Sequence, residues 1–535
     1  MKSVNITINN LDVAVPRDST ILDAASAQNI HIPTLCHLNG YEHSTSCMIC
    51  VVHDINSDRL IPSCSAGVTE GMKIATDSEK VRLARKDTLD FLLSEHIGDC
   101  EAPCFRACPA RMNIPLMIRQ IKDKRFEDAI ITVKKNIALP AVLGRICSAP
   151  CEKGCHRKSY DDSVSICSLK RYVADVDLSH DRPFLPEISA KSGKRVAIFG
   201  AGPAGLSAAY YLVQYGHLCH IYDQNPLPGG MLRYGVSEDL LPRTVLDAEI
   251  ERIAELGVEF FMERSLGRDL LWDELKTGYD AVVVAIGTFN PELFDNTGIS
   301  LTSQGMAVDR KTFETSIPGV FAGGNAVSES RMAVRASAHG KFLAKSVNQF
   351  LSGGTVTGEI RRFNSMLGKV RKDDTAELIK EAEGHKRITY ERGFEKGYSE
   401  EEVVLESSRC FGCDCRKPSS CKLRQYAEEY DSNQRRFPFT QRKKLEKVIQ
   451  HELVIYEPGK CIKCGLCVQI TKKSGEHLGL AFVNRGFDVR VQTPFGKPLS
   501  EGLKKVAAEC ITSCPTAALS WRDRTKEKES LAITK

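Results

Sequence analysis

Cysteine carries the chemistry that this chain offers. Cys36, Cys47, Cys50 and Cys64 form the pattern C-x10-C-x2-C-x13-C, four thiols in one short segment and enough for one metal centre. The chain has 21 cysteines, an odd number, and their grouping in Cys-x-x-Cys runs reads as metal ligation rather than as disulfides. Structural zinc favours two paired Cys-x-x-Cys knuckles, and the first segment has a single pair. A [2Fe-2S] cluster is therefore the stronger reading there, with zinc the plainer alternative.

Two further groups lie downstream: Cys100, Cys104 and Cys108, followed by Pro109, and then Cys147, Cys151 and Cys155, with Cys167 beyond. Seven thiols suit two [4Fe-4S] clusters with one ligand short. His96, with three residues between it and Cys100, is the candidate for the missing ligand, because imidazole can replace a thiolate; the bland reading is an ordinary surface or capping histidine. In CFGCDCRKPSSC, Cys410, Cys413, Cys415 and Cys421 put four thiols within twelve residues, a set for either [4Fe-4S] or zinc. The last group opens as a bacterial ferredoxin does, with Cys461, Cys464 and Cys467 at Cys-x2-Cys-x2-Cys spacing, but Thr471 holds the fourth in-line place. In the two-cluster pattern the cysteine before proline ligates the other cluster. Cys514, before Pro515, thus completes one [4Fe-4S] centre and Cys510 is spare. Cys219, inside an apolar run, reads as a packing residue.

A second chemistry is phosphate binding. In KRVAIFGAGPAGLSAAYYLVQYGHLCHIYDQ the run VAIF is a strand, Gly200, Gly202, Pro203, Ala204 and Gly205 make the turn and open a helix, and Asp223 ends the next strand, placed for a ribose hydroxyl. Backbone N–H groups at such a helix N-terminus cradle a pyrophosphate. TSIPGVFAGGNA, Thr315 to Ala326, is a strand running into Gly323 and Gly324 ahead of a helix, whose N-terminus would face the electron-rich end of a flavin. Two half-sites of one FAD account for both, with the strand DAVVVAIGT between them. No second G-x-G-x-x-G occurs, and the roughly 30 residues separating that strand from IPGVFAGG are too few for another βαβ unit. The expectation is that the chain does not bind a nicotinamide by itself.

These residues need elements to hold them. VNITI and LDVAV alternate about Asn9-Asn10 as a hairpin, and STILDAASAQN follows with helical spacing, the opening of a β-grasp ferredoxin. The patterns from about Val81 to Asp175 are helical. The expected fold class is multidomain, α/β and α+β. Its layout is a [2Fe-2S] β-grasp ferredoxin domain at 1–80, an α-helical domain binding [4Fe-4S] clusters at 81–190, and a Rossmann-like FAD-binding domain at 191–352. A linker with a cysteine cluster follows at 353–440, and a 4Fe-4S ferredoxin-like domain at 441–535.

Composition narrows the classes. The chain is 535 residues long and 42% apolar, ordinary for folded soluble protein, and its +5 formal charge is the small difference between 73 basic and 68 acidic residues. Its basic runs, RTKEKES and QRRFPFTQRKK, alternate with acids and polar groups, which argues for a solvated face and against nucleic acid. No window approaches the roughly 20 apolar residues of a membrane span, and MKSVNITINN has no apolar signal core, so a cytoplasmic protein is expected.

The residues also carry resemblances. PTLC, SC-x2-C and IPSC in the first cysteine pattern resemble the N-terminal domain of the large iron–sulfur subunit of respiratory complex I and of iron-only hydrogenases, and LLSEHIGDC looks like that subunit's His-x3-Cys motif, which supports His96. From about Cys100 to Leu351 the chain is similar to the small subunit of NADPH-dependent glutamate synthase, through CPARMNIP, GRICSAPCEKGC, GAGPAGL, GGMLRYGV and TSIPGVFAGGN. That resemblance implies FAD, with Gly230 of GGMLRYGV among its contacts, and two [4Fe-4S] clusters before it. By it, Cys100, Cys104 and Cys155 belong to one cluster and Cys108, Cys147 and Cys151 to the other. Three departures stand out. The second cluster's Glu or Gln ligand in those relatives falls near Lys170, which cannot ligate, so Cys167 is the expected substitute. Asn325 replaces the usual Asp after the final Gly-Gly. The inserted NADPH domain is missing.

The reading that follows is an oxidoreductase: an FAD and iron–sulfur electron-transfer subunit of a larger complex. It would hold one [2Fe-2S] and three or four [4Fe-4S] clusters and pass electrons to other oxidoreductase subunits or a ferredoxin. No Ser/His/Asp or paired-carboxylate site is legible, which leaves substrate chemistry to a partner. Two alternatives are a self-contained NAD(P)H-dependent reductase and a zinc-stabilised or redox-sensing interaction module.

Overall fold

The computed structural model describes residues 3–525 apart from 43, 288–289, 295–296, 392 and 438–441; parts of both basic runs fall outside these described residues. The chain forms two units. The first comprises Met1–Glu101, Arg362–Lys380 and Cys413–Lys535, the second Ala102–Arg361 and Glu381–Gly412. The segment expected as a linker thus contributes to both.

The first unit opens with β1 (Ser3–Ile8) and β2 (Leu11–Pro16), antiparallel about Asn9 and Asn10. Both asparagines take positive φ, 49° and 68°, as a two-residue hairpin matching strand twist requires. Helix α1 (Ile21–Ala27) starts at Thr20, whose hydroxyl accepts the Asp23 N–H while the Asp23 carboxylate accepts the Thr20 N–H. Strands β3 (Val51–Asp54), β4 (Arg59–Pro62) and β5 (Lys73–Ala75) complete a sheet of order β2-β1-β5-β3-β4. Ile6, Ile8, Ile21, Ala25, Val52 and Ile74 fill the core beneath it. Helix α2 (Glu79–Ser94), capped by Ser78, leads to His96.

In the second unit, α3 (Pro103–Ala107), α4 (Ile114–Lys122), α5 (Phe126–Lys134), α6 (Pro140–Ile146), α7 (Pro150–Lys153) and α8 (Ile166–Leu178) pack about one apolar core. A buried ion pair ties α5 to α8: Lys134 Nζ lies 2.6 Å from Asp177 Oδ2. Lys134 also donates to the Phe184 carbonyl at 2.7 Å, and Asp177 Oδ1 accepts the Phe184 N–H. Truncating one partner strands the other's charge out of water. Asp177→Ala is expected to cost this unit about 3–5 kcal/mol, read as a lower denaturant midpoint, whereas a substitution at an exposed pair such as Lys124 and Glu400 should leave the midpoint almost unmoved.

The same unit then builds a parallel sheet. β6 (Arg195–Phe199), α9 (Pro203–Gln214) and β7 (Leu218–Asp223) are followed by α10 (Met231–Tyr234), α11 (Arg243–Glu255), β8 (Glu259–Met262), α12 (Trp272–Gly278) and β9 (Ala281–Val284). A two-stranded ribbon, β10 (Leu301–Thr302) with β11 (Gly305–Met306), precedes β12 (Val320–Ala322) and the long α13 (Ala333–Leu351). The order β12-β9-β6-β7-β8, parallel throughout, reverses direction at β6, and doubly wound sheets bind ligands outside the carboxyl ends of the strands at such a point. Among the described residues only one 3-10 turn, Pro291–Phe294, and that short ribbon lie between β9 and β12. The sequence expectation of no second βαβ unit there matches the described backbone.

Along the rest of the chain, α14 (Lys372–Leu378) belongs to the first unit, and α15 (Gly393–Lys396) and α16 (Glu400–Ser408) to the second. The first unit closes with α17 (Lys422–Glu429), β13 (Val454–Tyr456), α18 (Leu466–Lys473), β14 (Ala481–Val483), β15 (Arg490–Gln492), α19 (Leu499–Gly502), α20 (Ala507–Ser513) and β16 (Leu519–Trp521). β13 pairs with β16 and β14 with β15, both antiparallel.

Candidate iron–sulfur and nucleotide sites

The turn between β6 and α9 is shaped for a close-approaching phosphate. Gly200 has φ 102°, and a Cβ there would meet the Ala285 carbonyl oxygen at 2.5 Å. A Cβ on Gly205 would fall 1.9 Å from the Gly200 oxygen, so this glycine sets how tightly the helix closes on the strand. Gly202 is different: its Cβ would reach nothing nearer than 4.0 Å, the Gly230 Cα, whereas a Cβ on Gly230 would come within 2.8 Å of the Gly202 Cα, so the close approach of the two loops requires glycine at 230. Asp223 holds the loop. Its Oδ2 accepts the Ala201 N–H at 2.7 Å and its Oδ1 accepts from the Asn225 backbone and side chain at 2.9 and 2.8 Å.

The second half-site approaches through helix packing. Gly340 on α13 lies so near α9 that a Cβ would sit 2.2 Å from the Ala204 oxygen, and a Cβ on Gly324 would lie 3.1 Å from the Ala204 Cβ. After β12 a single 3-10 turn, Gly324–Ala326, precedes α13, and Asn325 Oδ1 accepts the Ser330 N–H at 3.1 Å. The Gly324 N–H donates to His339 Nδ1 at 3.2 Å; burial lowers His339 to about 4, so it is a neutral acceptor.

In the first unit, β3 and β4 pair Val51 with Pro62 and so bring Cys50 and Cys64 together at the base of a hairpin. Left-handed Thr45 and Met48 bend the loop around Cys47. All four cysteines are buried. A hydrogen bond from Cys47 lowers the Cys36 thiol to about 5, and one from Cys64 lowers Cys50 to about 7, while their partners are raised. Cys36 is close enough that its charge acts on both Cys50 and Cys64. Four thiols of which two ionise readily are the donor set that iron or zinc requires.

The second unit assembles Cys108, Cys147, Cys151 and Cys167. A hydrogen bond from Cys167 holds Cys147 at about 6; burial and then the charge of Cys108 push Cys151 up. Lys170 stands among them, its amine 3.0 Å from the Leu143 carbonyl. Burial works to lower Lys170, but the thiols of Cys167, Cys147, Cys151 and Cys108 win and hold it above its ordinary range. Cys167 thus lies beside Cys147. Cys104, Cys155 and Cys410 pack against the same core as one another. α3 meets α7 so closely that a Cβ on Gly154 would lie 3.0 Å from the Ala107 Cβ, and Arg157, just past Cys155, donates to the Arg409 carbonyl next to Cys410 at 3.0 Å.

The grouping of Cys100 with Cys104 and Cys155, implied by resemblance, draws on residues of both units, Cys100 from the first and Cys104 and Cys155 from the second. Cys100 finds its thiol neighbours in the first unit. The Cys415 N–H donates to the Cys100 carbonyl at 3.1 Å, and Cys100 Sγ accepts the Ser365 N–H at 3.4 Å. Burial and then Cys415 raise Cys100 to about 11; burial, then Cys415, with Cys100 and Cys514 further down, raise Cys421 to about 12. The four thiols of CFGCDCRKPSSC also draw on both units, Cys410 on the second and Cys413, Cys415 and Cys421 on the first. Spacing reports neighbours along the chain, and the contact of Cys100 with Cys415 spans some 300 residues of it. Ser365, which donates to a sulfur, had no signal in the sequence.

At the end of the chain one cavity is lined by Cys461, Cys464, Cys467 and Cys514, with Tyr456 and Pro515 on its wall. The Lys463 N–H donates to Cys461 Sγ at 3.4 Å. Thr471, in the vacated ligand place, is buried and accepts the Leu480 N–H at 3.0 Å, while Cys510 packs in the core against α18 and Cys219 in β7. Among the described residues no three His, Cys, Asp or Glu side chains close on one point as ligands of a single ion do; a cluster, whose thiolates bind different irons, does not require it.

Residues 1–79 match the family described as 2Fe-2S iron-sulfur cluster binding domain, residues 94–182 the 4Fe-4S cluster domain II of dihydropyrimidine dehydrogenase, and residues 198–256 an NAD(P)-binding Rossmann-like domain. The three together define an oxidoreductase class built from iron–sulfur and nucleotide-binding modules. Among curated proteins the chain is similar to the NADP(+)-dependent formate dehydrogenase subunit beta of Moorella thermoacetica, 41% identical over 35% of this chain and 29% of that one. It is also similar to the NADPH-Fe(3+) oxidoreductase subunit beta of Geobacter sulfurreducens, 41% identical over 43% and 35%. The NAD-dependent dihydropyrimidine dehydrogenase subunit PreT homolog of Salmonella typhi is 39% identical over 35% and 46%. The chain spans less than half the length of each of these relatives.

Proposed function

We propose that this chain is the electron-relay subunit of a larger oxidoreductase, holding FAD between its two glycine half-sites and iron–sulfur clusters at its gathered cysteines. The observation that carries the reading is the sorting of thiols into separate sets within each unit, together with one nucleotide cradle in the second. When bound, the flavin would supply exchange between paired and single electrons and the clusters single-electron transfer. The chain's own residues bind and insulate. Gly200, Gly202, Gly205 and Gly230 admit a pyrophosphate, Asp223 fixes the loop for it, and Gly323, Gly324 and Asn325 offer the second half-site. Cys36, Cys47, Cys50 and Cys64 suit a [2Fe-2S] centre. Cys108, Cys147, Cys151 and Cys167 suit one [4Fe-4S] centre, Cys461, Cys464, Cys467 and Cys514 another, and Cys104, Cys155 and Cys410 supply three thiols of a further one. The apolar core shared by Cys36, Cys47, Cys421 and Cys464 excludes water between sites of the first unit.

Other oxidoreductase subunits or a ferredoxin are the expected partners, and the cytoplasm the expected compartment; among the described residues no helix is long and apolar enough to cross a membrane. The second reading, a chain that takes electrons from NAD(P)H unaided, is favoured by the NAD(P)-binding description of residues 198–256 and by the printed names of the relatives. One anaerobic experiment separates them. On the relay reading, dithionite or reduced ferredoxin bleaches the flavin of the isolated chain and neither NADH nor NADPH does so; bleaching by a nicotinamide alone would establish the second. Material without flavin, and with zinc in place of iron, would overturn both.

A further inference from the structure

Beside the four cysteines at the end of the chain stands a phenol with nothing to bond. Tyr456, the last residue of β13, is 6% exposed, and its buried Oη has no hydrogen-bond partner among the described residues. Buried tyrosine hydroxyls usually find one, and a donor left unpaired out of water costs free energy. Phenylalanine would fill the same space without that cost, so packing alone gives no reason for the oxygen.

The residue is fixed through its backbone. Its N–H donates to the Val448 carbonyl at 3.1 Å, its carbonyl accepts the Val448 N–H at 2.9 Å, and across the ladder of β13 and β16 it pairs with Leu519. Tyr456 and Leu519 line one cavity with Cys461, Cys464, Cys467 and Cys514, and of the side chains on its wall only those of Tyr456 and Thr516 carry an oxygen. The Thr516 hydroxyl is already committed. It donates to the Lys460 carbonyl at 3.0 Å and accepts the Ala518 N–H at 3.2 Å, so its one proton is directed away from Cys514 Sγ, 3.7 Å off. The Tyr456 O–H is left as the one uncommitted hydroxyl on that wall. Burial, and then the charges of Cys461, Cys467 and Cys514, push the phenol above its ordinary range, so it keeps its proton and remains a donor.

We propose that Tyr456 donates its O–H to a sulfur of the [4Fe-4S] centre read at Cys461, Cys464, Cys467 and Cys514, and thereby raises that centre's reduction potential. The proposal rests on the reading of these cysteines as cluster ligands and deepens it. A hydrogen bond to a cluster sulfur stabilises the reduced, more negative state, which is one of the levers a protein has on such a potential. One electron enters and the proton stays on the phenol oxygen, so the contribution does not vary with pH.

The full chain, reconstituted anaerobically with iron and sulfide, is followed by EPR-monitored redox titration; the signal of this centre is the one that Cys467→Ala removes. Tyr456→Phe should keep the iron content and make reduction of this centre about tenfold less favourable, about 59 mV for one electron, with the other clusters unmoved. Pulsed EPR after exchange into deuterium oxide should show one exchangeable coupling fewer than in the parent chain. Fluorotyrosine at 456, a more acidic phenol, should shift the potential upwards, and it decides the matter where the Phe variant fails to load iron. A Phe variant with the parent's potential and couplings overturns the proposal, as does a potential that fluorotyrosine lowers or leaves unmoved. A potential that falls as pH rises, with the slope lost in Tyr456→Phe, overturns it too, because the proton would then be moving with the electron. A chain that takes up no iron overturns instead the relay reading beneath it.

Discussion

Replacing Gly205 with valine is expected to empty the nucleotide site while every cluster ligand stays in place. The new Cβ would sit 1.9 Å from the Gly200 oxygen, a backbone atom, so the β6 to α9 turn must open to admit it. The turn is held by its own bonds: the Gly200 N–H to the Tyr222 carbonyl at 2.8 Å and the Gly229 N–H to the Ala201 carbonyl at 2.9 Å. Distortion costing about 3 kcal/mol weakens binding about 100-fold. Flavin released by denaturing the purified protein should fall to near zero, with iron and sulfide content unchanged. Gly202→Ala makes the informative contrast. Its Cβ meets nothing nearer than 4.0 Å, so thermal stability without nucleotide should hold, and the loss should appear only in flavin content, because the methyl occupies the space a pyrophosphate needs. Equal flavin in Gly205→Val and the parent chain would remove the assignment of this loop.

What could be read beforehand follows the range over which each signal acts. The β1 to β2 hairpin was legible because alternation and Asn-Asn are local, and the two asparagines do take the left-handed backbone. The strand, glycine turn, helix and strand from Val196 to Asp223 were legible for the same reason, and so were the four cysteines around one cavity at 461–514, since their spacing is a recurring pattern. Cys167 was offered through the resemblance, as the substitute for a ligand that falls near Lys170, and it does lie beside Cys147. Two features escaped. The contact between Cys100 and Cys415 depends on which segments the fold returns to one another, and no spacing encodes it. The part played by Asp223 also looked simpler than it is, for its carboxylate already accepts three N–H groups that hold the turn.

Lys170→Met is expected to lower the reduction potential of the cluster proposed for Cys108, Cys147, Cys151 and Cys167 by on the order of 100 mV. The ammonium is 3% exposed and surrounded by the four thiols, so solvent screens it little. A unit charge a few ångströms away contributes up to about 4 kcal/mol at an effective dielectric near 20, and about 1.4 kcal/mol corresponds to about 59 mV for one electron. A fixed positive charge stabilises the reduced, more negative state, so its removal makes reduction harder. Methionine matches the length of the stem, and the Leu143 carbonyl loses a single donor. Lys170→Arg keeps the charge and should stay within a few tens of millivolts of the parent. The measurement is an EPR-monitored redox titration of the full chain, with the other clusters as internal references. If Met and Arg at this position titrate alike, the amine is a packing element, and the contrast with relatives that place an amide or carboxylate ligand here loses its electrostatic meaning.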